Sequence, residues 1–227
     1  MTKLEFYGLH SYKLDSNTYP GKLIVIEGTD GVGRTTQALM LRSWLESQGY
    51  AVVDTGAARS ELAGKGIKRA KEGHTLGPVT LSLFYATDFA DRFEKQILPA
   101  LKAGFLVLND RYIYSLIARA HVRGVEQNWL SEIYGTALKP DIVFYLKISV
   151  KDLIPRVLAA KGFNYWESGM DLQLGEDLYE SFVNYQSKLI GKLDEMSKEY
   201  GFIEIDATKE PQDMFLDIKN KISEILV

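Results

Sequence analysis

The chain has 227 residues, of which 46% are hydrophobic and 25% are charged, and its net charge is −3. This composition is typical of a globular protein with one large domain or two small ones, and so weak a charge does not favour binding to nucleic acid or to an anionic membrane. Because the chain has no cysteine, disulfides, thiolate zinc sites and cysteine nucleophiles are excluded. No apolar run is long enough to span a bilayer, and the first residues lack the apolar stretch of a signal peptide, so we expect a soluble, cytoplasmic protein.

Short apolar runs alternate with segments of helical spacing along the chain. The runs at residues 23–26, 50–53, 105–108, 142–146 and 202–205 are typical of strands buried on both faces. Apolar residues recur every three or four positions over 35–47, 61–72, 79–102 (one helix or two), 150–160, 177–200 and 211–226. The alternation predicts a three-layer α/β fold in which helices flank a five-stranded parallel sheet. Residues 1–20 are predicted to be an N-terminal extension that packs on the domain or pairs with a partner, and residues 21–227 a single domain.

A glycine-rich loop connects the first predicted strand to the first predicted helix. Residues 28–35 read Gly-Thr-Asp-Gly-Val-Gly-Arg-Thr, which is the P-loop pattern with arginine at the position of the usual lysine. Glycines let main-chain N–H groups converge on phosphate oxygens, the helix N-terminus adds positive potential, and a threonine hydroxyl can bind magnesium. We therefore predict that a nucleoside triphosphate is bound by residues Gly28, Thr29, Asp30, Gly31, Val32, Gly33, Arg34, Thr35 and Thr36.

The arginine in this loop leaves two outcomes open. Arginine keeps the positive charge of lysine, but its side chain is longer, planar and forked. Arg34 either replaces the lysine and grips phosphate oxygens in a bidentate manner, or it permits nucleotide binding with slow turnover.

A second polar element, Asp110-Arg111-Tyr112, follows the third predicted strand. Ligands of open α/β sheets bind beyond the carboxyl ends of the strands, so this element is expected close to the glycine-rich loop. Asp110 is predicted to hold magnesium together with Thr35, or to accept a proton from the acceptor, and Arg111 to clamp an acceptor phosphate. The structural alternative for Asp110 is a cap on the next helix.

These segments resemble the thymidylate kinase family of nucleoside monophosphate kinases. The resemblance covers about residues 22–220 and is carried by IEGTDGVGRTTQ (26–37), DRYIYS (110–115), KPDIVFYLKIS (139–149) with Arg156 downstream, and IDA (205–207). It implies the P-loop NTPase fold with a short mobile lid at about residues 161–175, ATP and Mg²⁺ at the donor side, nucleotide substrates and a homodimer. It also implies that Arg34, Asp110 and Arg111 are the catalytic residues.

The same resemblance places the acceptor, and this chain departs from the family there. Asp30 is expected near the sugar, and Tyr85 is expected to stack on the base. Phe89 stands where the family has the arginine that reads thymine, and Arg92, one helical turn later, is the candidate to compensate for it. The predicted substrate contacts are therefore Asp30, Tyr85, Phe89, Arg92, Arg111 and Arg119.

The sequence thus predicts a kinase that moves the γ-phosphoryl group of ATP to a nucleoside monophosphate, with dTMP as the default acceptor. Two alternatives stay open. The first is a kinase for a different phosphorylated acceptor, and an extra phosphate is one role predicted for Arg119 and Arg123, which share a helix face. The second is a nucleotide-binding regulatory protein with little turnover, because the predicted lid contains no arginine.

Overall fold

A computed structural model describes residues 2–8, 14, 18–74 and 76–226 of the chain. Its strands are β1 (Thr2–Lys3), β2 (Thr18–Tyr19), β3 (Lys22–Glu27), β4 (Val52–Gly56), β5 (Leu106–Asp110), β6 (Ile142–Lys147) and β7 (Ile203–Asp206). Strands β3 to β7 form a parallel five-stranded sheet in the order β4-β5-β3-β6-β7. The central strand β3 is therefore flanked by β5 and β6, and the carboxyl ends of these three strands meet at one edge.

Helices cover both faces of the sheet. They are α1 (Arg34–Ser47), α2 (Gly64–Glu72), α3 (Pro78–Arg92), α4 (Leu98–Lys102), α5 (Ile113–Val122), α6 (Gln127–Ile133), α7 (Val150–Ala160), α8 (Leu178–Tyr200) and α9 (Pro211–Ser223). One π-helical turn over Phe93–Ile97 joins α3 to α4. A 3-10 turn over Met170–Leu172 precedes α8. In the part of the chain that the structure describes, no helix is both long and apolar enough to cross a membrane.

The core consists of two apolar clusters, one on each side of the sheet. Successive strand residues point to opposite faces, so Leu23 and Val25 of β3 join the cluster formed with α3, α5 and α8. Ile24 and Ile26 join the cluster formed with α1, α7 and α9. Burial on both faces explains why each strand reads as a continuous apolar run. The predicted α/β fold with three layers is confirmed.

Some element boundaries differ from the prediction. The second sheet strand begins at Val52, two residues later than predicted, because Gly49 and Tyr50 terminate α1. Gly49 has a φ of 88°, and the N–H of Tyr50 donates to the carbonyl of Leu45 at 3.1 Å, which satisfies a free carbonyl of the last helical turn. Helix α6 was not predicted, since it has only seven residues and one buried side chain, Leu130.

The described part of the predicted N-terminal extension packs on the domain. The N–H of Tyr7 donates to the carbonyl of Ala137 at 3.1 Å, and the N–H of Lys139 donates to the carbonyl of Glu5 at 2.7 Å. Strand β1 pairs with β2 in antiparallel fashion. Residues 1, 9–13 and 15–17, for which an extension was also predicted, lie outside the described residues.

Candidate active site

The glycine-rich loop, residues 28–33, connects the end of β3 to the start of α1. Gly33 has a φ of 103°, a conformation that side chains other than glycine rarely adopt. A Cβ atom at Gly33 would have no atom within 4 Å, so the space over this end of the loop is open. At Gly31 a Cβ atom would lie 2.6 Å from Cγ2 of Val157, so this position requires glycine for close packing on α7 as well as for its φ of 81°.

The first turn of α1 presents main-chain N–H groups to this open space. The first hydrogen bond of the helix runs from the N–H of Gln37 to the carbonyl of Gly33, at 3.1 Å. Within the described residues, no acceptor takes the N–H groups of Arg34, Thr35 or Thr36. Unpaired amides at a helix N-terminus form an anion-binding cradle. The arrangement therefore fits the phosphate oxygens of a nucleotide.

Arg34, Thr35 and Asp110 form one hydrogen-bonded group at the base of the cradle. Arg34 is 9% exposed, and its Nε donates to Oδ1 of Asp110 at 2.9 Å. Its Nη1 donates to the carbonyls of Gly28 and Thr29. The hydroxyl of Thr35 donates to Oδ2 of Asp110 at 2.8 Å. The guanidinium is thus fixed inside the loop, and both carboxylate oxygens of Asp110 face the start of α1.

Asp110 is held as a carboxylate. Burial raises the pKa of its carboxyl, but the charge of Arg34 and the hydrogen bonds from Thr35 and Arg34 outweigh burial and leave the pKa below its usual value. A carboxylate and a hydroxyl oxygen in contact are hard oxygen ligands of the kind that Mg²⁺ prefers. Among the described residues, no cluster of three or more acidic or histidine side chains could hold a metal without further ligands. A magnesium ion at this pair would need phosphate oxygens or water to complete its coordination.

Asp30 lies between two arginines from the neighbouring elements. Nη2 of Arg111 and Nη2 of Arg119 each donate to one of its carboxylate oxygens, and Nη2 of Arg34 lies 3.5 Å from Oδ1. Burial raises the pKa of Asp30, yet the three arginines hold it well below its usual range. The two predicted acceptor-side arginines, Arg111 and Arg119, are therefore brought together by a loop carboxylate.

The backbone of Arg111 is in an unusual conformation. Its φ is 73°, which is rare for a residue other than glycine, and its N–H donates to the carbonyl of Ile26 at 3.1 Å. Strained backbone persists where the surrounding structure determines it, and such positions cluster at functional sites. The strain turns the side chain of Arg111 away from the path of β5 and toward Asp30.

Two residues of this site were missed by the sequence reasoning. Glu27, fully buried, accepts hydrogen bonds from the N–H groups of Tyr112 at 2.9 Å and Ser115 at 3.4 Å, so it fixes the start of α5 behind Arg111. Burial raises its pKa, and Arg34 offsets only part of this effect. The sequence feature that could have identified Glu27 is an acidic residue at the end of an otherwise apolar strand.

The second missed residue is Arg59, which follows β4. Its Nη2 lies 3.4 Å from Oδ2 of Asp110, and its Nη1 lies 3.2 Å from Asp54. Arg59 could have been found from its place just after a strand. It was missed because β4 was predicted to end before Asp54. The guanidinium adds a cation beside Asp110.

Asp88 and Arg92 support the loop that carries Arg59. Both side chains are fully buried, and Nε of Arg92 donates to Oδ2 of Asp88 at 2.9 Å. The carboxylate also accepts from the N–H groups of Ala58 and Ser60, each at 2.9 Å. Arg92 thus has a structural partner and lines neither of the acceptor-side cavities described below, which differs from the predicted substrate contact.

Phe89 also differs from its predicted position at the substrate. It is 2% exposed and packs among Phe93, Tyr112 and Tyr134, with ring centroids 5.4–5.8 Å apart. Because Phe89 faces the core, it lines neither cavity. Tyr85, one helical turn earlier, lines both.

Two adjoining cavities lie between α2, α3, α5 and the segment after α7. The outer cavity has a volume of about 550 Å³, and its wall includes Arg111. The inner cavity has a volume of about 30 Å³, and its wall includes Arg119 and Arg123. Three residues line both cavities: Lys71, Tyr85 and Trp166.

The segment predicted as a lid, about residues 161–175, is docked on this acceptor side. Nε1 of Trp166 donates to the carbonyl of Lys71 on α2 at 2.7 Å. Arg123 donates to the carbonyl of Trp166 at 3.1 Å and pairs with Asp171 at 2.8 Å. Arg123 therefore holds the segment in place, and its charge is already matched by a carboxylate.

Arg156, on α7, lies on the donor side. Its guanidinium donates to the carbonyls of Val32, Thr208 and Lys209 at 3.2–3.5 Å. It thus connects the glycine-rich loop to the loop after β7.

Comparison with known proteins agrees with this arrangement. The family profile described as "Thymidylate kinase" matches residues 26–218. "Probable thymidylate kinase 2" of Saccharolobus solfataricus is 39% identical over 209 residues, which are 91% of this chain and 97% of that protein. "Probable thymidylate kinase" of Thermococcus kodakarensis is 38% identical over 66% of this chain and 78% of its own length. "Thymidylate kinase" of Brachyspira hyodysenteriae is 28% identical over 90% of this chain and 94% of its own length. The chain belongs to the thymidylate kinase family.

Proposed function

We propose that the protein transfers the γ-phosphoryl group of ATP to a nucleoside monophosphate, with dTMP as the default acceptor. The observation that carries this proposal is the shared carboxylate of Asp110, which binds both Arg34 and Thr35 at the start of a helix whose first amides have no acceptor among the described residues. The names of the relatives, probable thymidylate kinase and thymidylate kinase, support dTMP.

The donor phosphates are bound by the residues of the glycine-rich loop. The N–H groups of Arg34, Thr35 and Thr36, which have no acceptor within the described part of the chain, donate to phosphate oxygens, and the helix dipole adds to this attraction. Phosphoryl transfer requires mostly positioning and charge neutralisation, with little covalent work by the protein. Arg34, already oriented by Asp110 and by loop carbonyls, supplies positive charge beside the transferred group.

Thr35 and Asp110 would hold Mg²⁺, with the hydroxyl and the carboxylate as oxygen ligands. When bound, Mg²⁺ neutralises charge on the donor phosphates. The lowered pKa of Asp110 keeps the ligand charged at neutral pH. Arg34 lies on the other oxygen of the same carboxylate and keeps it oriented toward the loop.

The acceptor phosphate is bound by Arg111, and Arg59 lies beside the neighbouring Asp110. Asp30 orients Arg111 and Arg119 by accepting one hydrogen bond from each. The outer cavity, about 550 Å³, lies within the size range of ligand pockets and is lined by Arg111 and Tyr85. Closure of the lid over a bound acceptor would exclude water from this space, which favours transfer to the acceptor over hydrolysis.

A second candidate function is a nucleotide-binding regulator with little turnover. It is favoured by two observations. Nε and Nη1 of Arg34 already donate to protein acceptors, and the lid contains no arginine that could approach the donor phosphates.

An assay that couples ADP release to NADH oxidation distinguishes the two functions. ATP and Mg²⁺ are supplied with dTMP, dUMP, dCMP or dGMP as acceptor. A kinase releases ADP in an acceptor-dependent manner, and Thr35→Ala lowers kcat by about 100-fold or more because a magnesium ligand is lost. Thr35→Ser is the matched control, since it keeps the hydroxyl. Tight ATP binding without ADP release from any acceptor would support the regulator instead.

The homodimer and the cytoplasmic location stay predictions. Sedimentation equilibrium of the purified protein tests the first, and a mass of one chain would contradict it.

A further inference from the structure

The junction between the two cavities contains a lysine, Lys71, to which the family resemblance assigns no role. Lys71, Tyr85 and Trp166 line both cavities and come from α2, α3 and the lid. The inner cavity, about 30 Å³, has room for little more than a water molecule. An acceptor nucleotide that binds this conformation therefore occupies the outer cavity and extends no further than the junction.

The junction is suited to an aromatic ring. Arg111 lines the outer cavity but not the inner one, so a phosphate on Arg111 leaves the rest of the nucleotide to extend along the outer cavity. Tyr85 and Trp166 provide aromatic surface at its inner end, and aromatic side chains stack on nucleobases. The base of the acceptor would then present an edge to Lys71.

The cations along the cavity walls differ in their partners. Arg111 and Arg119 pair with Asp30, and Arg123 pairs with Asp171. Within the described residues, Lys68 and Lys71 have no carboxylate within ion-pair distance. Lys68 is exposed to solvent, whereas Lys71 is partly buried beneath Trp166, with Nζ 5.9 Å from the centre of the indole ring.

A partly buried ammonium without a carboxylate partner is costly unless a ligand accepts its hydrogen bonds. Burial is the main reason that its pKa is lowered, and the nearby charge of Arg119 adds to the effect. Lys71 is therefore the wall residue whose charge a bound acceptor would satisfy, and the ligand group must be a hydrogen-bond acceptor because an ammonium only donates.

We propose that Lys71 reads the acceptor base by donating a hydrogen bond to a ring carbonyl of a pyrimidine stacked on Tyr85. This inference rests on the proposed kinase function and names the residue that sets its base preference. Thymine and uracil present the O4 carbonyl where cytosine presents an amino group, so the ammonium favours the first two. Phe89, which the resemblance places near the base, is buried in the core and is not available for this contact.

The lid takes part in the same recognition. The carbonyl of Lys71 accepts the hydrogen bond from the indole of Trp166, so the main chain of this residue anchors the lid while its side chain faces the base. Lid docking and base reading are thereby coupled through one residue.

The test compares Lys71→Met with wild type, using kcat and KM for dTMP, dUMP and dCMP. Loss of a charge-assisted hydrogen bond should lower the preference for dTMP over dCMP on the order of 10- to 100-fold, through KM, with kcat changed little. Lys71→Arg keeps a cationic donor and should retain the preference. Lys65→Met is the matched control, since Lys65 is exposed on the same helix and lines neither cavity.

A second readout is independent of turnover. Calorimetric titration with dTMP in the absence of ATP should show weaker binding to Lys71→Met and unchanged binding to Lys65→Met. If wild type uses these monophosphates but Lys71→Met keeps the same dTMP to dCMP ratio, the inference on Lys71 is overturned and the kinase function stands. If wild type transfers phosphate to no monophosphate, both the inference on Lys71 and the proposed kinase function are wrong.

Discussion

The donor side and the acceptor side of this site are built in different ways. The donor side consists of one consecutive run, residues 28–36, and one carboxylate from the neighbouring strand. The acceptor side is assembled from α2, α3, α5 and the lid, and it includes a lysine without a carboxylate partner in the described residues. A consecutive run keeps its geometry through its own backbone, whereas a surface from four elements changes whenever one side chain is replaced. The departures from the family that the sequence predicts at Phe89 and Arg92 concern the acceptor side.

The largest effect is expected at the donor side, from Arg34→Met. This substitution removes the charge beside the transferred phosphoryl group and frees one oxygen of Asp110, so kcat should fall on the order of 10³-fold. Arg34→Lys is the matched variant, because it restores the usual residue of the motif and should stay within about tenfold of wild type. Steady-state kinetics with saturating ATP measures both. Equal losses in the two variants would mean that the forked geometry, and not the charge alone, is required.

The next largest effect is expected on the stability of the protein, at the buried ion pair that supports the acceptor side. Asp88→Ala leaves the fully buried Arg92 without its partner and removes the acceptor for two loop N–H groups. The free energy of unfolding should fall by about 3–5 kcal/mol, as measured by urea denaturation. Arg42→Ala, which breaks an exposed ion pair with Glu46, is the control and should change stability little.

A double variant sharpens this prediction. Asp88→Leu combined with Arg92→Met replaces the pair by apolar side chains of similar size and should recover part of the lost stability. A stable Asp88→Ala protein that has lost activity would contradict the structural role and would return Arg92 to the list of candidate substrate contacts.

The smallest expected effect is a pH dependence on the acceptor side. Burial and the charge of Arg119 lower the pKa of Lys71 to about 8, with Arg111 acting in the same direction and Asp30 and Glu167 in the opposite one. A lysine is charged below its pKa, so the ammonium is present at pH 7 and is lost as the pH rises through 8. The KM for dTMP should therefore rise by about tenfold between pH 7 and pH 9.

Two comparisons isolate the source of that pH dependence. Lys71→Arg should abolish the rise, since a guanidinium stays charged throughout this range. The KM for ATP should stay constant, because the donor cradle consists of main-chain amides and Arg34. A rise in KM for dTMP that persists in Lys71→Arg would assign the effect to another group.

The acceptor side also shows where sequence reasoning reached its limit. Phe89 was placed near a substrate by the family resemblance, and Arg92 by its spacing of one helical turn, but helix rotation decides which residues face a cavity. Tyr85 faces the cavities, Phe89 packs in the core, and Arg92 pairs with Asp88. Arg59 and Glu27 were missed because their partners, Asp110 and the start of α5, lie far away in the sequence.

The sequence by itself determined the sheet, the phosphate loop and the proximity of Asp110, because these depend on local spacing and on the shared edge of parallel strands. Only the tertiary structure decided that Arg123 holds the lid, that Asp30 joins Arg111 to Arg119, and that Lys71 is left without a carboxylate partner among the described residues. The physical reason is that pairing and burial of a charge depend on side chains brought together from distant segments, and spacing along one segment does not contain that information.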